Sequence, residues 1–342
     1  MLGFSIYLHE TIDNKVIKKL RKKSVKKIFT TCHMPEYDFD VLKSLSNLFE
    51  ICKANELELF ADLDKNFYLK NKKVLDRLLE EGLGLRLDYG FSLADTISLS
   101  KNNKLAINAS TLRQDDLIYL ENNGVNKKNL ILWHNFYPKK YSGLSKKFFT
   151  EKNEIFRNMG YKIYAFVSGN ENLRPPMKEY LPTLEELRGM NPFVAYLKML
   201  LDFKIDCVFV SEGLKDFDLS LINLYEEKSL IKIPVKILPN YKNLIGIEFT
   251  NRFDQSTYLI RAIESRKMDL KVKAENTIFR EIGSITLDNK EFKRYEGELN
   301  IVKRRLEKDI RVNVIGEVRD SYKELVNYIG PGGKFILDEK YN

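Results

Sequence analysis

Residues 57–89 read LELFADLDKNFYLKNKKVLDRLLEEGLGLRLDY, and the fold turns on how this stretch is parsed. An apolar run ends in Phe60-Ala61-Asp62, Leu75, Leu78 and Leu79 follow at helical spacing, and a second apolar run ends in Leu85-Arg86-Leu87-Asp88. Strand, helix, strand is the reading, with a carboxylate at the C-terminal tip of each of two consecutive strands. Two acids so placed are what hydrolytic or proton-transfer chemistry requires.

The same unit recurs on both sides. Strand-like runs lie at 3–8 (GFSIYL), 26–32, 57–63, 83–89, 105–110 (LAINAS), 130–136 (LILWHNF), 162–168 and 206–211. Helical spacing separates them, as in Val41, Leu42, Leu45, Leu48 and Phe49. Thr183 with Glu186 predicts a capping box opening a helix TLEELR. Repeated strand–helix units predict a parallel sheet with right-handed crossovers. Eight of them favour an α/β fold of the closed (β/α)8 type over an open doubly wound sheet. The gap at 169–205 leaves room for an extended loop at the barrel mouth.

After about residue 235 the texture changes. Pro234 and Pro239 bracket a linker strand, and short alternating runs follow at 245–249, 283–287, 297–302, 312–318 and 333–337, divided by turn signals such as Pro331-Gly332-Gly333. A barrel domain over 1–235 and a small, mostly β domain over 240–342 are expected.

Composition sets limits on function. The 342 residues are 44% hydrophobic and 31% charged, with a formal net charge of +9. The basic residues are spread over helical stretches such as VIKKLRKKSVKK (16–27) without aromatic platforms, so nucleic-acid binding is not expected. The N-terminus lacks the basic and apolar regions of a secretion signal, and no apolar run approaches the roughly 20 residues of a membrane span. Cys32, Cys52 and Cys207 are scattered and read as reduced, buried thiols suited to the cytoplasm. A homo-oligomer is left open.

In a (β/α)8 barrel the chemistry gathers at the C-terminal strand ends. His9, His33 and His134, the only histidines, all fall at expected strand ends. No H-x-H or HExxH spacing is present, so no metal is expected, and without GxGxxG or GxxxxGK[ST] no nucleotide cofactor is either. Alternation places Phe60 and Asp62 on one face, and Gly84, Arg86 and Asp88 on another. Were those faces inward, Asp62 and Asp88 could lie roughly 5 Å apart. One carboxyl pKa would then rise, with Arg86 one layer deeper holding the other as carboxylate. The alternative is a purely structural Arg–Asp network. The tip Trp133-His134-Asn135-Phe136-Tyr137-Pro138 suits a sugar, although core packing is the preferred reading of Trp133 and Phe136. Asn108 and Ser110 add polar contacts, and no strand-end lysine suggests a Schiff base.

These residues resemble the bacterial 6-phospho-N-acetylmuramidases. The resemblance is carried by FSIY, IFT, the Asp62 strand, GLRLDYGF (84–91), INAS, HNFYP (134–138) and TLEELR, then Arg252-Phe253-Asp254, Tyr258, Arg261, Tyr295-Glu296-Gly297-Glu298-Leu299 and Asn313-Val314-Ile315-Gly316. It spans nearly the whole chain. It implies a TIM barrel with a cyclophilin-like C-terminal domain, and a cytoplasmic glycosidase of peptidoglycan recycling. The substrate it implies is 6-phospho-N-acetylmuramyl-β-1,4-N-acetylglucosamine.

Carried onto this chain, the resemblance implies Asp62 and Asp88 as the catalytic pair, with roles unassigned. It implies Arg86, Asn108, His134, Asn135 and Tyr137 as barrel contacts, and Arg252, Asp254, Arg294 and Tyr295 as contributions of the second domain. Arg174, in a loop of variable character, joins Arg86, Arg252 and Arg294 as a cation for the phosphate and lactyl carboxylate. Glu212 is the weaker acid candidate. Rival readings are a sugar-phosphate isomerase or epimerase, and a non-catalytic sugar-phosphate sensor.

Overall fold

Eight short parallel strands close into a barrel in a computed structural model that describes residues 1–10, 12–33 and 38–340. They are β1 (Leu2–Ser5), β2 (Val25–Thr31), β3 (Glu58–Leu63), β4 (Gly84–Leu87), β5 (Leu105–Asn108), β6 (Leu130–Trp133), β7 (Lys162–Val167) and β8 (Cys207–Val210). Each pairs with its sequence neighbours, and β1 pairs with β8 to close the ring. Strands covered on both faces read as continuous apolar runs, which is why all eight expected segments are present. Several stop earlier than expected, at Ser5, Leu87 and Trp133, where the chain leaves the ladder for the loops.

The helices between strands start where short polar side chains satisfy their first amides. Asp40, Asp64 and Ser145 each accept from the amide three residues on, and Ser92 forms a reciprocal box with Asp95. Thr183 does not cap a helix as expected. Its hydroxyl accepts from the Phe166 amide at 2.9 Å and donates to the Asn135 carbonyl at 2.9 Å, and only a single 3-10 turn, Glu185–Leu187, follows. Burial explains the change, because a wholly buried hydroxyl bonds to the nearest strand groups.

The barrel interior is packed, not open. Trp133 lies at its centre, 4.2 Å from the Phe209 ring and 5.6 Å from that of Phe60, centroid to centroid. Gly3 and Gly84 make this possible: a Cβ on either would come within 2.5 Å of the Phe209 or Phe60 ring. Near the N-terminal strand ends, Lys27 projects inward, paired with Glu58 and 5.7 Å from the Phe60 ring centroid. Cys32, Cys52 and Cys207 are buried and form no disulfide.

The barrel unit is Met1–Lys215, and a second unit begins at Asp216. The second unit holds a seven-stranded sheet of β9 (Leu230–Ile237), β10 (Glu248–Thr250), β11 (Leu259–Arg261), β12 (Ser284–Asp288), β13 (Leu299–Val302), β14 (Val312–Val318) and β15 (Lys334–Asp338). The strand order is β10-β15-β9-β14-β12-β13-β11. The linker strand expected between Pro234 and Pro239 is therefore the C-terminal part of an inner strand of this sheet. β9 pairs with β15 through Pro234 and with β14 from Val235 onward, so the proline sits at the handover between partners. The helix Asp216–Lys228 joins the second unit, where the Tyr322 hydroxyl donates to Asp218 at 2.8 Å. Among the described residues no helix is long and apolar enough to cross a membrane.

Candidate active site

The register of β3 against β4 decides which inward side chains meet. Phe60 lies opposite Gly84, and Asp62 opposite Arg86. Arg86 is thus level with Asp62, not a layer deeper as alternation alone had suggested. Its Nη1 donates to Asp62 Oδ1 at 2.6 Å, while Nη2 donates to the Asn135 side-chain oxygen and the Trp133 carbonyl. The guanidinium is almost wholly buried, so Asp62 is its counter-ion in a place water barely reaches.

Burial pushes the Asp62 carboxyl above its ordinary range. The Arg86 guanidinium opposes that shift without cancelling it, and the Asp88 charge adds to it. Asp88 lies just past the end of β4, where its amide donates to the Leu63 carbonyl at 3.1 Å, and it is exposed. Asp62, Arg86, Asp88 and Asn135 line one cavity of about 140 Å³ together with Phe29, Phe136 and Phe166. The two expected carboxyls do share a cavity. Phe136 is half-buried and forms part of its wall, packing edge-on against Phe166 at 5.1 Å, whereas Trp133 is the core residue expected.

His134 does not join them. Since Trp133 points inward, alternation turns His134 outward, toward the helix Lys146–Asn158, where its ring lies 4.6 Å from Phe149. One ring nitrogen is 2.8 Å from Asn153 Oδ1 and the other 3.2 Å from the Ser110 hydroxyl. Burial lowers its pKa to about 3, which keeps the ring neutral. A neutral imidazole donating to Asn153 and accepting from Ser110 satisfies both nitrogens. Ser110 in turn accepts from the Asn135 amide at 3.2 Å, so His134 positions Asn135 and is not itself at the cavity.

The other expected barrel contacts also have structural partners. Asn108 accepts from the Ser110 amide at 2.9 Å, and the Tyr137 amide donates to the Pro182 carbonyl. Arg174 stacks over the Tyr7 ring at 4.6 Å, and its amide donates to Glu212. None of the three lines the cavity with the aspartates. Glu212 is buried, with its pKa raised by that burial, and accepts from the Arg174 and Leu181 amides. It fastens the 169–182 loop. His33 is exposed, and His9 lies 6.3 Å from Tyr7, ring to ring.

In the second unit Arg252 clasps Asp254 with a fork of two bonds, 2.9 and 3.1 Å, and Arg294 donates to the Tyr295 hydroxyl at 2.8 Å. Arg252 and Arg261 hold the Asp254 carboxyl down at about 2. Among the described residues no group of three or more His, Cys, Asp or Glu is placed to hold a metal ion.

Residues 2–217 match the family model described as 6-phospho-N-acetylmuramidase, N-terminal, and residues 230–338 match its C-terminal counterpart. The crystal structure of a conserved Enterococcus faecalis protein of unknown function is similar, with 29% identity and a TM-score of 0.89 over 98% of this chain and 96% of that one. An uncharacterized B. cereus protein shares the fold at 23% identity and a TM-score of 0.77, covering 98% of each chain. No curated protein matches the chain.

Proposed function

This chain belongs to the 6-phospho-N-acetylmuramidase family, and from that premise we propose that it hydrolyses the β-1,4 bond of 6-phospho-N-acetylmuramyl-N-acetylglucosamine. The products are N-acetylmuramic acid 6-phosphate and N-acetylglucosamine, in cytoplasmic recycling of cell-wall material. One observation carries the chemistry: two carboxyls, Asp62 and Asp88, line a single aromatic-walled cavity.

Glycoside cleavage needs a proton for the departing oxygen and a second group at the anomeric carbon. Asp62, whose carboxyl is pushed up by burial and pulled down by the Arg86 guanidinium, is assigned to the departing oxygen. Asp88 is the exposed partner that acts at the anomeric side, on carbon, on water or on the 2-acetamido group. Arg86, itself bonded to the Asn135 side-chain oxygen, fixes the Asp62 carboxyl, and Phe136 offers an apolar face to the sugar ring. The cavity is smaller than the roughly 300–1,000 Å³ of a whole-ligand pocket, so it takes the reacting centre and not the entire disaccharide.

Incubation of the purified chain with the phosphorylated disaccharide, followed by chromatography, tests this. Equimolar release of both monosaccharides supports hydrolysis. Conversion without cleavage supports an isomerase or epimerase, and binding without turnover a sensor.

A further inference from the structure

Thr31 is the last residue of β2, and neither its type nor its spacing marks it in the sequence. Phe29 packs inside the barrel, 5.3 Å from the Trp133 ring, so alternation turns Thr31 inward as well, nearer the strand tips. The register sets Thr31 opposite Asp62, and Asp62 opposite Arg86, so three side chains stand level across β2, β3 and β4. The ladder runs one step further, with the Cys32 amide donating to the Asp62 carbonyl at 2.7 Å, which holds that register to the strand ends.

A hydroxyl can donate one hydrogen bond and accept others. Thr31 Oγ1 accepts from the His33 amide at 3.1 Å, so its proton is left for another acceptor. That acceptor is the Asp62 carboxyl, to which Thr31 hydrogen-bonds in support of the charged form. Arg86 takes Oδ1 of the same carboxyl at 2.6 Å. Thr31 and Arg86 are both almost wholly buried, so bulk water does not compete for either donor. The titratable groups around Asp62 are Arg86 and Asp88 on the β4 side and the Cys32 thiol past β2, which burial pushes up and keeps neutral.

We propose that Thr31 is a positioning residue for Asp62, its hydroxyl donating to the carboxylate that forms as Asp62 gives its proton to the departing oxygen. A donor fixed in advance where charge develops needs no reorganisation, and it acts most strongly in a dry site. His33 contributes through its backbone, since its amide aims the hydroxyl while the residue itself is exposed. The proton transfer from Asp62 rests on the hydrolase reading, whereas the Thr31 contact with the carboxyl does not.

Rate against pH on the phosphorylated disaccharide, beside an NMR titration of the Asp62 carboxyl carbon, tests the proposal in wild type, Thr31→Val and Thr31→Ser. The Asp62 resonance is the one lost in Asp62→Asn. Thr31→Val keeps the shape and removes the donor, so it should lower kcat roughly tenfold or more and leave KM within about twofold. It should also move the Asp62 titration, and the limb of the rate profile that follows it, to higher pH, because the carboxylate has lost a donor. Thr31→Ala, a second donor-free variant, should behave in the same way. Thr31→Ser keeps the hydroxyl and should return both readouts toward wild type. An Asp62 titration unmoved in the donor-free variants, or Thr31→Ser as impaired as they are, overturns the proposal. So does a loss confined to KM, which would make Thr31 a substrate contact. A wild type that releases no N-acetylglucosamine, while Thr31→Val still moves the Asp62 titration, overturns the hydrolase reading alone.

Discussion

Asp62 and Arg86 face each other in register across β3 and β4, with Nη1 2.6 Å from Oδ1, and both are buried at the tips of barrel strands. The contact sets the chemistry of the cavity. It holds a carboxyl in a dry place, where burial raises its pKa, and gives it one fixed orientation.

The two aspartates should respond differently to the same change. Asp88→Asn removes an exposed group and should lower turnover roughly 10²–10⁴-fold, with stability within about 0.5 kcal/mol of wild type. Asp62→Asn should lower turnover as well and cost roughly 3–5 kcal/mol, because it leaves Arg86 buried without its counter-ion. Paired kinetics and urea unfolding read both effects, and near-normal activity in both variants would sink the catalytic assignment.

Gly84 is a packing requirement. An alanine there places its Cβ 2.5 Å from the Phe60 ring, so Gly84→Ala should destabilise the barrel by about 1–3 kcal/mol. Phe60→Leu in the same chain should recover part of that loss, and thermal unfolding of the three variants measures the coupling.

His134 should make the fold acid-sensitive. Its folded pKa, lowered to about 3, lies below the unfolded value near 6.5, so the unfolded chain binds the extra proton between those limits. Stability should be full above about pH 6.5 and fall as pH drops toward 3, by an amount on the order of a few kcal/mol. His134→Gln should flatten this limb in a pH series of urea melts.

Asp288 should act with the opposite sign. Burial, with Glu298 beside it, raises its pKa to about 7, so the native state holds a proton that the unfolded chain has released. Stability should decline as pH rises from about 4 through 7. Asp288→Asn should gain on the order of 2–4 kcal/mol at pH 8 and nothing at pH 4, as measured by calorimetric melting at the two pH values.

The barrel was legible because strands buried on both faces cannot hide their composition. β11 was not: three residues, Leu259–Arg261, are too few to show a period. Of the inner strand β9 only the part after Pro234 was legible, as a linker strand between Pro234 and Pro239, because Pro234 marks a change of pairing partner within one strand. For His134 the signal was present. An inward Trp133 forces its neighbour outward, and three histidines at strand ends had outweighed that alternation.

The sequence by itself determined the repeated strand–helix unit, and with it that Asp62 shares a face with Phe60, and Arg86 with Gly84 and Asp88, near strand tips, because side chains alternate with period two. Only the tertiary structure decided that Asp62 meets Arg86 and that Asp88 stands free beyond them. That depends on the stagger between strands, which barrel closure imposes and no single strand encodes. The second unit shows the same limit: Arg252, Arg261, Arg266, Arg294, Tyr295 and Glu298 line one cavity because the sheet brings distant turns side by side.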